Sequence, residues 1–126
     1  MRTLRHEHSA KKILIVEDEG EICFLMNIML ADNNLLIDHV QTLSKAGEYI
    51  LREKPSLVLL DNRLPDGYGV DFIDYLKENC PQAKVIMISG VDGAVRDLAL
   101  ESGADIFLQK PFTKAHLNES VKALLN

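Results

Sequence analysis

Residues 11 to 23 read KKILIVEDEGEIC: four aliphatic residues, Ile13 to Val16, run straight into Glu17, Asp18 and Glu19. An unbroken aliphatic run predicts a strand covered on both faces, because a strand with one wet face alternates polar and apolar residues. Ending it on three carboxylates asks what the charge is for. The residues that follow, from about Glu19 to Ala31, carry Ile22, Leu25, Met26 and Met29 at the i, i+3, i+4, i+7 spacing of a covered helix face.

The same pairing of a short apolar run with a helical period recurs along the chain. LLIDHV (35–40) reads as a second strand, followed by a helix that Thr42 caps and that ends before Pro55, with Leu43, Ala46, Gly47 and Ile50 inward. LVLL (57–60) is a third, and the turn-rich NRLPDGYG leads from it into a helix over about 70–79. KVIMI (84–88) is a fourth, with a helix carrying Val95, Leu98 and Ala99 that Gly103 stops. DIFLQ (105–109) is a fifth, and Thr113 caps a last helix with Leu117, Val121 and Leu124 inward. The alternation predicts an α/β fold with a five-stranded parallel sheet, doubly wound as (βα)5. Ligands of such sheets sit outside the carboxyl ends of the strands, at the switch in strand order. Glu17, Asp18, Asp61, Ser89 and Lys110 stand at or just past such ends and are expected to converge.

At 126 residues the chain fits one domain, with residues 1–10 as a tail and 11–126 as the folded unit. Its 47% hydrophobic and 26% charged residues are the balance of a folded, soluble protein. Apolar runs such as VIMI (85–88) are far shorter than the roughly 20 residues of a membrane span, and the first ten residues lack a secretory apolar stretch. A cytoplasmic protein without membrane contact is expected. The net charge of −5, with Lys and Arg scattered, gives no footprint for nucleic acid. Cys23 and Cys80 lie 57 positions apart without CxxC spacing and are expected to be unpaired thiols.

Three carboxylates brought together raise one another's pKa unless a cation neutralises them. Hard oxygen donors, few in number and in a wet site, suit Mg²⁺, which keeps several waters and shares its remaining positions with a phosphoryl group. Lys110 and the Ser89 hydroxyl can bind further phosphoryl oxygens, and Asp61, set at the end of four aliphatic residues, can attack phosphorus to form an acyl phosphate.

In ILIVEDE, LVLLDNRLPDGYG, VIMISG and GADIFLQKPF, the chain from about Lys12 to Asn126 resembles the receiver domain of two-component response regulators. The separations, 43 residues from Asp18 to Asp61, 28 to Ser89 and 21 to Lys110, are close to that family's. The resemblance implies a flavodoxin-like strand order 2-1-3-4-5. It implies that Asp61 accepts a phosphoryl group from a histidine kinase or phosphotransfer protein, assisted by Ser89 and Lys110. Mg²⁺ is then held by Asp18, Asp61 and the main-chain carbonyl of Arg63. Glu17 supports the metal from a position more often Asp, and the Lys110-Pro111 bond is cis. Phe107 matches the aromatic switch position, and the readout surface is the fourth helix, fifth strand and fifth helix, acting on a downstream effector or output domain. Such a domain is a phosphoacceptor, not an enzyme, although it assists its own phosphorylation and dephosphorylation. Arg63 and Val91 beside the site are candidates for tuning hydrolysis.

Each group alone has a plainer use: acids at a helix start, an Asp opening a turn, a Ser-Gly loop, a solvated lysine, a core phenylalanine. The alternatives are a Mg²⁺-dependent phosphohydrolase with Asp61 as nucleophile and a receiver-like module that binds without phosphate. The first lacks a second Asp two positions on, where Arg63 stands; the second leaves the acid, hydroxyl and lysine positions unused. A flavin site lacks a hydroxyl- and glycine-rich phosphate cradle. His6-Glu7-His8 has no third metal partner, His39 and His116 read as surface or packing residues, and Asn118-Glu119-Ser120 falls on a helix. Both a stand-alone receiver and the front of a longer regulator are compatible with the sequence.

Overall fold

Consecutive apolar strand residues need cover on both faces, since the pleat sends successive side chains to opposite sides. The computed structural model, which describes residues 11–31, 34–90 and 93–125, is organised in that way. Strands β1 (Lys11–Val16), β2 (Leu35–Val40), β3 (Leu57–Asp61), β4 (Lys84–Ser89) and β5 (Ile106–Gln109) form a parallel sheet in the order β2-β1-β3-β4-β5. Helices α1 (Gly20–Leu30), α2 (Leu43–Glu53), α3 (Ile73–Asn79, entered through a 3₁₀ turn), α4 (Gly93–Ser102) and α5 (Lys114–Leu125) connect and cover the strands. His6, Glu7, His8 and Val91 lie outside the described residues.

Ile13, Ile15, Leu57, Leu59, Ile86 and Ile88 pack against α1 and α5, where Cys23, Met26, Leu30, Leu117 and Val121 close the layer. Leu14, Val16, Val58, Leu60, Val85 and Met87 pack the other way, onto Ala46, Tyr49 and Ile50 of α2, Ile73 and Leu76 of α3, and Ala99 of α4. At about 1.5–3 kcal/mol for each large aliphatic side chain buried, these two layers are the main source of stability. Both cysteines are free and buried.

Two helix faces differ from the sequence expectation. On α1, Leu25 is 50% exposed, and the covered positions are Cys23, Met26 and Leu30, with Ile22 and Met29 at the margin. Apolar residues surround that helix, so several stripes satisfy the same period. On α4, Leu98 is 49% exposed and Ala99 alone among the described residues of the helix is fully covered.

Side chains fix the helix starts. Thr42 Oγ1 accepts from Lys45 N at 3.1 Å, and Thr113 Oγ1 accepts from His116 N at 3.0 Å. The first turn of α2 has a second cap from far along the chain: Asp66 accepts from Leu43 N and from Ser44 N, each at 2.9 Å. Asp66 sits at the tip of a small antiparallel ribbon, Arg63–Leu64 with Gly67–Tyr68, that leaves the end of β3. Those two N–H groups hold its carboxyl below the ordinary Asp value.

Where the ribbon returns to β3, a Cβ on Gly69 would stand 2.2 Å from the Asp61 carbonyl oxygen. At the amino-end rim of the sheet, Asp105 clasps β4 to β5: its carboxylate accepts from Val85 N at 2.8 Å and from Lys77 Nζ at 3.3 Å. Its own N–H donates to Val85 O at 2.9 Å.

Gly69→Ala should destabilise the domain by about 3 kcal/mol, because main chain must shift to admit the methyl group. A wild-type urea midpoint in that variant contradicts the packing. Asp66 contributes stability when ionised, so its effect is present above the ordinary Asp pKa and is lost as pH falls through its lowered folded-state value. The stability gap between wild type and Asp66→Ala should therefore be open at neutral pH and close in acid. A gap that stays constant across an acid titration of the unfolding curves argues against an ionised cap.

Candidate functional site

The strand register brings four strand ends level. Val16 pairs with Leu60, which puts Glu17 beside Asp61; Asp61 pairs with Ile88, one residue before Ser89; Ser89 pairs with Gln109, one residue before Lys110. β1 and β3 adjoin where the strand order reverses, because the chain runs from β1 outward to β2 and from β3 to β4 on the other side. Loops that diverge at such a point leave a crevice.

Glu17, Asp18 and Asp61 meet there, each with a carboxylate oxygen within 4.8 Å of the others. Asp18 is exposed, whereas Glu17 and Asp61 are buried, at 2% and 6% exposure. Lys110 reaches back over them. Its Nζ donates to Asp61 Oδ1 at 2.7 Å and to Glu17 Oε1 at 3.3 Å. Its main-chain N–H donates to the Ser89 carbonyl at 2.7 Å, and the bond to Pro111 is cis. The other oxygen of Glu17 accepts from Glu19 N at 3.1 Å, so both of its oxygens are engaged.

Burial pushes the Glu17 carboxyl above its ordinary range; the Glu19 N–H opposes this, the Asp61 charge adds to it, and Lys110 does not cancel it. For Lys110, burial disfavours the ammonium, but its hydrogen bond to Asp61 and the charges of Asp61 and Glu17 override this and hold its pKa up. When all are ionised, three carboxylates face one ammonium, and two negative charges remain to be balanced. That surplus on hard oxygen donors fits a divalent cation.

Beside the acids opens a cleft of about 700 Å³ walled by Asp61, Arg63, Tyr68, Ser89 and Lys110. Ser89 stands at its edge with 9% exposure, and Arg63 is exposed on the ribbon. Phe107 packs half-buried against the layer of α2, α3 and α4. His39 and His116 are exposed, and neither belongs to the carboxylate cluster. Asn118 Nδ2 donates to the Met29 carbonyl at 2.9 Å and so joins α5 to α1.

Two residues that matter to the site's shape escape the sequence reading. Asn62 is buried at 6% exposure and ties the loop down three ways: its N–H donates to Ile88 O at 3.1 Å, its carbonyl accepts from Gly69 N at 2.7 Å, and its Oδ1 accepts from Val70 N at 3.1 Å. Asp66 reads as a turn residue and nothing more, because its partners lie 22 and 23 positions earlier in the chain.

Comparison with known proteins agrees with this architecture. The family described as the response regulator receiver domain matches residues 13–122. Response regulator protein PilR of Pseudomonas aeruginosa is 38% identical over 120 residues, 93% of this chain and 26% of PilR. The phosphate regulon transcriptional regulatory protein PhoB of Escherichia coli is 32% identical over 119 residues, 92% of this chain and 52% of PhoB. The chain thus spans about half the length of PhoB and about a quarter of PilR. A CheY-like response regulator receiver domain protein from Methanospirillum hungatei superposes with a TM-score of 0.86 at 28% identity, covering 91% of this chain and 93% of that one. The beryllofluoride-activated NtrC4 receiver domain dimer gives 0.85 at 33% identity, covering 90% and 94%. Sheet order, acidic cluster and sequence agree along nearly the whole described fold: the chain belongs to the response regulator receiver domains, the signalling domains of two-component systems.

Proposed function

We propose that this domain is a cytoplasmic switch operated by phosphorylation. Asp61 accepts a phosphoryl group from a sensor histidine kinase or a phosphotransfer protein, and the surface of α4, β5 and α5 then acts on a downstream effector or an output domain. The observation that carries the proposal is the 2.7 Å contact of Lys110 Nζ with Asp61 Oδ1 inside a cluster of three carboxylates. Among the described residues no helix is long and apolar enough to cross a membrane.

In the transfer, an Asp61 oxygen forms a bond to phosphorus as the P–N bond of the donor phosphohistidine breaks, and the imidazole leaves with that electron pair and takes up a proton. Asp61 is held for attack by the rigid end of β3 and by the Asn62 anchors next to it. Lys110 and the Ser89 hydroxyl donate to the phosphoryl oxygens as negative charge builds. Asp18, Asp61 and the Arg63 carbonyl are the residues to hold Mg²⁺, with Glu17, already bonded to Glu19 and Lys110, supporting it from behind. The bound ion would supply neutralisation of the acids and the phosphoryl group. Arg63, exposed at the cleft, is placed to tune how fast water reaches the product.

The new charge draws the Ser89 hydroxyl and the start of the following loop inward, and Phe107 moves into the space released. This biases an equilibrium between two arrangements already accessible to the domain. Beryllofluoride, named in the description of the activated NtrC4 receiver, is a suitable probe of the same transition here.

With acetyl phosphate and Mg²⁺, the wild-type chain should take up acid-labile phosphate stoichiometrically and Asp61→Asn none; full labelling of the variant refutes the assignment. Lys110→Gln removes the cation that balances two buried carboxylates and should cost about 2 kcal/mol of metal-free stability. Adding Mg²⁺ should recover more stability in this variant than in wild type, because more negative charge awaits it. Equal recovery in urea titrations of both proteins would mean that ammonium and metal do not share the acids.

A further inference from the structure

The ribbon that leaves β3 ties two distant places together. At one end, Arg63 follows Asn62, whose N–H, carbonyl and side chain are bonded to Ile88, Gly69 and Val70. At the other, the Asp66 carboxylate straddles the first turn of α2, one oxygen on Leu43 N and the other on Ser44 N, both at 2.9 Å. Between them the strands are in register, Arg63 with Tyr68 and Leu64 with Gly67. Leu64 packs against the α2-side core, and a Cβ on Gly67 would stand 3.2 Å from Leu43 Cδ1, so the tip lies directly on α2. A short paired ribbon fixed at both ends has little freedom in between, and Arg63 lies within it.

We propose that Asp66 is a positioning residue for the divalent cation: by clamping the ribbon tip to α2, it holds the Arg63 carbonyl where the metal can take it up. This inference rests on the Mg²⁺ site proposed above. Two bonds from one carboxylate fix both the position and the rotation of the tip, which a single cap would leave free. Coupling of this kind is reciprocal, so metal at one end of the ribbon tightens the cap at the other. The Leu43 and Ser44 amides, on a helix outside the acidic cluster, should therefore respond to Mg²⁺.

The test is a Mg²⁺ titration followed by ¹H–¹⁵N NMR on wild type, Asp66→Ala and Asp66→Asn, with urea unfolding of each as a check on folding. Wild type should show the Leu43 and Ser44 amides shifting with the same Kd as residues around Asp61. Asp66→Ala should bind Mg²⁺ about fivefold more weakly, with that shared response lost. Asp66→Asn, which keeps one acceptor oxygen and turns an NH2 group toward the other amide, should bind more tightly than the Ala variant and more weakly than wild type. A lowered urea midpoint in Asp66→Ala with an unchanged Kd makes the cap purely structural and overturns the inference. Leu43 and Ser44 amides in wild type that stay unmoved while residues around Asp61 titrate with Mg²⁺ also overturn it, since the two ends of the ribbon would then be uncoupled. Failure of wild type to bind Mg²⁺ at all would remove the metal site itself, a result distinguishable from both.

Discussion

Glu17, Asp18 and Asp61 share a rim of the sheet at a separation where like charges repel strongly, and the ammonium of Lys110 balances only part of that charge. Much of the surrounding architecture answers to this constraint. The switch in strand order sets β1 beside β3 and so creates the crowding; the parallel register delivers Lys110 from the far edge strand to relieve it. What remains unbalanced is negative charge on hard oxygen donors at the open side of the rim, which a divalent cation would neutralise.

Rigidity is placed around that charge with care. Behind Asp61 lie four fully buried aliphatic residues, and in front of it Asn62 and Gly69 close a loop with no room for another carbon. A carboxylate held in this way has little orientational freedom left to lose. Arg63 and Tyr68 stand exposed at the cleft, while Asp61 and Ser89 are held in the packing at its floor.

Much of this was legible in the chain because its cause is local. Ile13 to Val16 and Leu57 to Leu60 announce doubly covered strands, and a polar residue immediately after such a run must emerge at the carboxyl rim, which groups Glu17, Asp18, Asp61, Ser89 and Lys110 by their place in the chain alone. Thr42 and Thr113 signal helix starts by the same local chemistry. The inward face of α1 was legible in part: Ile22, Met26 and Met29 do pack inward, but Leu25 does not, since Phe24, Leu25 and Ile28 are as apolar as the buried Cys23 and Met26 and only packing against α5 breaks the tie. Asp66 and Asn62 were missed for another reason: each side chain is defined by a partner that the fold supplies from elsewhere, and a turn-like sequence is compatible with many partners.

The clasp at Asp105 acts on how β5 can move. As an edge strand it has a neighbour on one side only, and at its entry Asp105 bonds Val85 through both main chain and carboxylate while Lys77 braces the carboxylate. At the opposite end Lys110 ties the strand again, its N–H on the Ser89 carbonyl and its ammonium over the acids. The edge strand is thus pinned at both ends, by a carboxylate where it enters the sheet and by an ammonium where it leaves, so that anything taking up the Asp61 carboxylate competes for one of its two fastenings.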